Sequence, residues 1–131
     1  MLRGRRDRYH RLGFLVPFTV AALVTPVQFM VGDALARTVF QEQPVKFAAL
    51  EIVWETGPDQ PEYLFGRLQP DGTVDGGIRV PGLASFLAGF SRDTVVQGLS
   101  ETPANDRPTI REANIAHFAF DTMVGVGTVL L

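Results

Sequence analysis

Hydrophobic and polar positions divide the chain into two apolar runs separated by a long polar stretch. From Leu12 to Gly32 no residue is charged: LGFLVPFTVAALVTPVQFMVG. Coiled as a helix, this run measures about 31 Å, which matches a hydrocarbon core of roughly 30 Å. Pro17 and Pro26 fall inside it. Prolines are costly in soluble helix interiors but tolerated in membrane helices. The second run is Ile115–Leu131, IAHFAFDTMVGVGTVLL, with Asp121 as its one formal charge. At about 25 Å it falls short of a full crossing, and it lacks a basic flank. The expectation is therefore an all-α membrane protein with two transmembrane helices, the second cut inside the helix. A soluble core helix or a re-entrant segment is the other reading of that second run.

The polar stretch joining the runs predicts short helices and turns. Pro44–Trp54 reads as a helix, with Pro44 at its first position and Gly57-Pro58 as its stop. From Gly57 to Gly82 the chain is rich in Gly, Pro and Asp, and QPDGTVDGG is turn chemistry with little room for regular structure. Leu83–Leu99 reads as a second short helix broken near Gly89, and Thr102–Pro108 as a loop. No internal repeat is visible.

Charge orients this plan. Residues 1–11 hold Arg3, Arg5, Arg6, Arg8 and Arg11 against Asp7 alone. Basic flanks stay cytoplasmic, so residues 1–11 form a cytoplasmic flank, 12–32 a span, 33–114 an extracytoplasmic loop and 115–131 a truncated span. Asp33–Glu112 agrees, with 12 acidic and seven basic residues. A secretory signal peptide is the competing reading, since Ala34-Leu35-Ala36 resembles a cleavage site. Against it stand the length of the first run and the presence of a second. The net charge of −2 argues against a nucleic-acid binder. The absence of cysteine excludes disulfides, thiolate metal sites and a cysteine nucleophile.

Three groups of residues could carry chemistry. Lys46 and Glu51 are five apart, about 140° around a helix, so they form no simple ion pair along it. Glu51 and Glu55 are like-charged and four apart, an arrangement that raises the proton affinity of one of them. A carboxylate that takes a proton, with a lysine nearby, suits hydroquinone oxidation, which must release two protons. An amphipathic helix with solvated charges accounts for the same spacing. Met123, followed by Gly125 and Gly127, could be an axial haem ligand approached closely by a flat macrocycle, or a packing methionine. His117 and Asp121 share a helix face four residues apart. An ionisable residue within a span is a functional candidate, and His117 is either its partner or an interfacial residue.

GRRDRYHRLGFLVPFTVAALVTPVQFMVGD, then QPVKFAALEIVWET, then AHFAFDTMVGVGTVLL, in this order, resemble subunit I of cytochrome bd-type quinol oxidases. The KFAALE and FAFDTMVGVG segments carry the specific part of the likeness. The resemblance implies a multi-pass subunit of the bacterial plasma membrane, paired with subunit II, that oxidises membrane quinol near the outer face and reduces O₂ to water. It implies three haems: a low-spin haem b, a high-spin haem b and haem d. It places Lys46 and Glu51 on the residues that act in quinol oxidation, and Met123 on the methionine ligand of the low-spin haem b. The histidine pairing with that methionine would lie on a helix before Met1, so this piece alone would be inactive. Some members carry an arginine two residues before the methionine, where this chain has Asp121, and that arginine's role does not transfer. The loop is too short for the long-insert form. The competing classes are a non-enzymatic two-span membrane protein with an acidic outer domain, and an exported protein with a cleaved signal.

Overall fold

The computed structural model describes residues 8–129, and they form a mostly helical chain. The element order is α1 (Arg8–Glu42), α2 (Pro44–Leu50), β1 (Glu62–Leu64), β2 (Arg67–Leu68), β3 (Val74–Asp75), β4 (Ile78–Val80), α3 (Leu83–Gly89), a 3-10 turn at Leu99–Glu101, and α4 (Ile110–Val129). Contacts divide the chain into two units, Met1–Asp33 and Ala34–Leu131. Residues 1–7 of the expected basic flank, and the last two residues of the expected second span, lie outside the described residues.

In the first unit the described residues are all helix. Pro17 and Pro26 sit inside α1 without interrupting it. Helix α1 has 35 residues, extending past the expected span at both ends, and none of them is buried. Its most apolar 18-residue stretch has a mean hydropathy of 1.9. Among the described residues it is the one helix long and apolar enough to cross a membrane. Helix α4 fails that test, carrying Arg111, Glu112 and Asp121 within 20 residues.

The second unit has its own core of Phe47, Ala48, Ala49, Ile52, Val53, Leu68, Ala84, Ala88, Val96, Leu99 and Ala113. Val39 and Phe40 pack against it, with the Phe40 ring edge-on to Phe47 at 5.3 Å between centroids. Helix α2 packs against α4, and the small residues Ala48, Ala49 and Ala113 on these two helices are buried.

Two expectations for the connection are corrected. The helix starting at Pro44 ends at Leu50, well before Gly57. Ile52 takes φ +46°, and Val53 N–H donates to Ala48 O at 2.9 Å, the six-to-one bond that closes a helix C-terminus. The Gly57–Gly82 stretch is not irregular. It folds back on itself as two antiparallel ribbons, β1 on β4 (Glu62↔Val80, Leu64↔Ile78) and β2 on β3 (Leu68↔Val74). Turn residues predicted from QPDG do make the turn: Gly72 has φ +84°, and Asp71 accepts from both Thr73 N–H and Thr73 Oγ1. The paired segments beside it were hidden because strands of two or three residues leave no alternation to read. Gly77 joins the ribbons at φ +72°, where a Cβ would lie 2.6 Å from Gly66 N, so backbone approach requires glycine there. Leu83–Leu99 is helical only over Leu83–Gly89, ending at Phe90 with φ +59°.

Candidate functional site

Helix α4 opens with a reciprocal cap. Thr109 N–H and Oγ1 donate to Glu112 Oε2, both at 2.8 Å, and Glu112 N–H donates back to Thr109 Oγ1 at 3.2 Å. These bonds hold the Glu112 carboxyl below the usual range. Ala113, Asn114, His117 and Asp121 recur along α4 at helical spacing and share one face. Asn114 pairs with the Leu68 backbone like an added strand, accepting from N–H at 2.8 Å and donating to C=O at 2.9 Å.

One turn further, His117 is fully buried and Asp121 is 6% exposed. His117 Nδ1 lies 2.6 Å from Leu50 O. A carbonyl oxygen can only accept, so Nδ1 carries the hydrogen. His117 Nε2 lies 3.3 Å from Asp121 Oδ2, outside hydrogen-bonding geometry. Asp121 Oδ2 accepts from Phe65 N–H at 2.5 Å. Thus α4 ties down both the end of α2 and the turn between β1 and β2. His117 is buried, bonded to Leu50 O, and faces Asp121 with no hydrogen bond between them.

Glu51 follows Leu50 directly and is 4% exposed. The left-handed Ile52 turns the chain back under α2 and leaves Glu51 inside. A β-branched residue with positive φ is a true outlier, and such strain gathers at functional sites. Phe65, also at φ +58°, is the residue that donates to Asp121. Burial first, then the negative charges of Glu62 and Asp121, push the Glu51 carboxyl well above the usual carboxylate range. The expected partner Glu55 is exposed and plays no part. Glu62, at the start of β1, is pushed up to about 7 by burial and by the Asp121 charge. Sequence reasoning missed Glu62, because one glutamate between Pro61 and Tyr63 in a turn-rich stretch gives no sign that it is buried.

Lys46 is exposed, on a surface depression of about 590 Å³ that Glu42 and Asp106 also line. No ion pair joins it to Glu51 among the described residues. As the spacing of about 140° implies, Lys46 and Glu51 form no pair along α2, and the charges that act on Glu51 are those of Glu62 and Asp121. Those carboxylates and His117 do not converge on a metal-sized point, since no group of three such side chains among the described residues could hold an ion.

Met123 projects from the other side of α4 and is 63% exposed. A Cβ on Gly127 would meet nothing within 4 Å, and one on Gly125 would meet only Phe65 Cζ, at 4.0 Å. A free thioether beside an uncluttered glycine surface fits an iron ligand against a flat macrocycle. Phe118, Val124 and Val126 of α4 are exposed as well.

A sequence model of the family described as cytochrome bd terminal oxidase subunit I matches residues 1–131. The chain is 32% identical over 136 residues to a putative cytochrome bd menaquinol oxidase subunit I of Bacillus subtilis (strain 168), covering 100% of this chain and 30% of that protein. It is 30% identical over 118 residues to the cytochrome bd-II ubiquinol oxidase subunit 1 of Escherichia coli (strain K12), covering 88% of this chain and 23% of that one. A solved structure of bd oxidase from Geobacillus thermodenitrificans superposes with a TM-score of 0.79 at 33% identity, over 97% of this chain and 28% of that chain. The chain thus spans less than a third of the length of each of these relatives. The match over the whole chain favours the subunit I resemblance over a non-enzymatic two-span protein or an exported one.

Proposed function

The chain belongs to the cytochrome bd terminal oxidase subunit I family, and from that premise we propose that it is the quinol-oxidising segment of a respiratory membrane oxidase that reduces O₂ to water. The single observation that supports this most is Glu51: a buried carboxyl with raised proton affinity, one residue from the carbonyl held by α4, the helix that also carries Met123. A base for hydroquinone must take a proton as electrons leave, and its proton affinity should sit near the working pH.

In this reading Glu51 accepts a quinol hydroxyl proton. Lys46, on its outer depression, attracts and orients the quinol oxygen by charge and hydrogen bonding. His117 and Asp121 fix the two backbone segments around Glu51. Met123 would hold the low-spin haem b through its thioether, and the haem would supply one-electron transfer. The high-spin haem b and haem d, with subunit II, would belong to the complete enzyme. The chain would lie in the bacterial plasma membrane, with residues 12–32 and 115–131 as spans, the connection 33–114 outside and the N-terminus in the cytoplasm.

Glu51→Ala in the complete oxidase tests the reading. Quinol oxidation should fall by about a hundredfold or more, in the range of a lost general base, with the haem spectra unchanged. Full activity in that variant would remove Glu51 from the mechanism. Met123→Leu should abolish the low-spin haem spectrum, and an unaltered spectrum would refute the ligand assignment.

A further inference from the structure

Glu62 is a buried acid to which the reading above gives no task. It is 7% exposed, and its Oε2 is buried without a hydrogen-bond partner. A buried carboxylate oxygen with no donor is costly, and the cost disappears when it receives a proton. The groups bearing on it are the Glu51 carboxyl beyond α2 and the Asp121 carboxyl on α4. Across the ribbon its partner is the uncharged Val80, and no ion pair reaches it among the described residues. A second buried atom in the same cluster, His117 Nε2, also lacks a hydrogen-bond partner. The interior around Glu51 is thus short of protons, and its carboxylates raise one another's cost of ionisation.

We propose that Glu62 is the proton-accepting partner of Glu51, taking the first quinol proton from it so that Glu51 can take the second. The inference rests on the assignment of Glu51 as the base. Hydroquinone gives up two electrons and two protons, and one carboxylate holds one proton at a time. In the first transfer a quinol O–H bond breaks and a Glu51 O–H bond forms. That proton then moves to a Glu62 oxygen, which restores the Glu51 carboxylate. The second quinol O–H bond breaks in the same way and quinone is left, its two electrons being those that a ferric haem would accept one at a time. Both carboxyls then lose their protons to water. Glu62 acts through Glu51 and is a positioning and proton-holding residue.

The test is Glu62→Gln in the complete oxidase, assayed with a short-chain ubiquinol across pH and by pH-difference infrared spectroscopy. The expected result is a kcat lower by about tenfold with KM held. The acid limb of the rate profile should move to lower pH, because Glu51 loses a negative neighbour. One protonated-carboxyl band should vanish from the infrared spectrum. Glu62→Asp should restore both band and rate. An unchanged kcat and acid limb with every carboxyl band retained would overturn the proposal, as would a change in KM alone. Should Glu62→Gln fail to assemble, Glu62→Ala decides: it also removes the proton-holding carboxyl, so an unchanged kcat and acid limb in that variant are equally fatal. If Glu51→Ala is itself silent, the assignment of Glu51 fails; if Glu51 is essential and Glu62→Gln silent, this inference alone fails.

Discussion

Helices α1 and α4 reverse, in different ways, the usual arrangement of a water-soluble protein. Helix α1 shows apolar side chains on every side, with Leu23 at 70% and Met30 at 73% exposure. Helix α4 is two-faced, but its buried face holds His117 and Asp121 while Ile115, Met123 and Val126 point outward. A soluble amphipathic helix does the opposite. The first pattern needs a surrounding of lipid or other apolar helices. The second needs polar partners inside, and they are present: Leu50 C=O for His117, Phe65 N–H for Asp121 and the Leu68 backbone for Asn114. Apolar substance outside and polar groups held mostly by backbone partners inside is the arrangement that hydrocarbon surroundings select.

Asn114→Ala strikes the α4 side hardest. It leaves both Leu68 backbone groups, on a residue 1% exposed, without partners. The expected cost is about 3 kcal/mol, the sum for two buried unpaired groups. Thermal unfolding of the assembled oxidase would measure it, and a cost within error would mean that water reaches this face. On the α1 side Leu23→Arg should impair membrane integration by about 3 kcal/mol on insertion scales. Leu23→Ala should do little. Equal tolerance of both in an insertion assay would end the reading of α1 as a span.

The pH dependence of stability tests whether the buried face is poor in protons. Glu62 has its folded-state value raised from 4.5 to about 7. Such a group contributes stability that is complete below about 4.5 and lost as pH climbs through 7. Glu51 shifts in the same direction. With allowance for solvent screening, Glu62 should account for a decline on the order of 2 kcal/mol across that window. Glu62→Gln should flatten the curve, and a wild-type oxidase that gains stability from pH 5 to 8 through this site would contradict the burial of Glu62.

What could be read in the sequence follows from the range of the forces involved. The apolar run in α1, the start of α2 at Pro44 and the QPDG turn depend on neighbouring residues, and they stand where expected. The i,i+4 spacing of His117 and Asp121 also foretold a shared face. Glu51 was found, but its true neighbours were not, because Glu62 and Asp121 come from 11 and 70 residues away. The turn that buries Glu51 uses Ile52 at a positive φ where glycine is the usual choice, so no local signal marks it. Lys46 and Glu51 were expected about 140° apart around a helix, and the exposed Lys46 and buried Glu51 agree with that spacing.

The smallest expected effect separates the start of α4 from its middle. Thr109 and Glu112 cap the helix in an exposed position, where water can replace either partner. Thr109→Ala should therefore cost only about 1 kcal/mol, the ordinary value of an N-cap. Asn114, barely more than one turn onward, should cost about three times as much because its partners are buried. If Thr109→Ala proved as damaging as Asn114→Ala in the same unfolding experiment, the start of α4 would have to be shielded from water too. The contrast between a hydrated helix end and a dry polar face would then no longer hold.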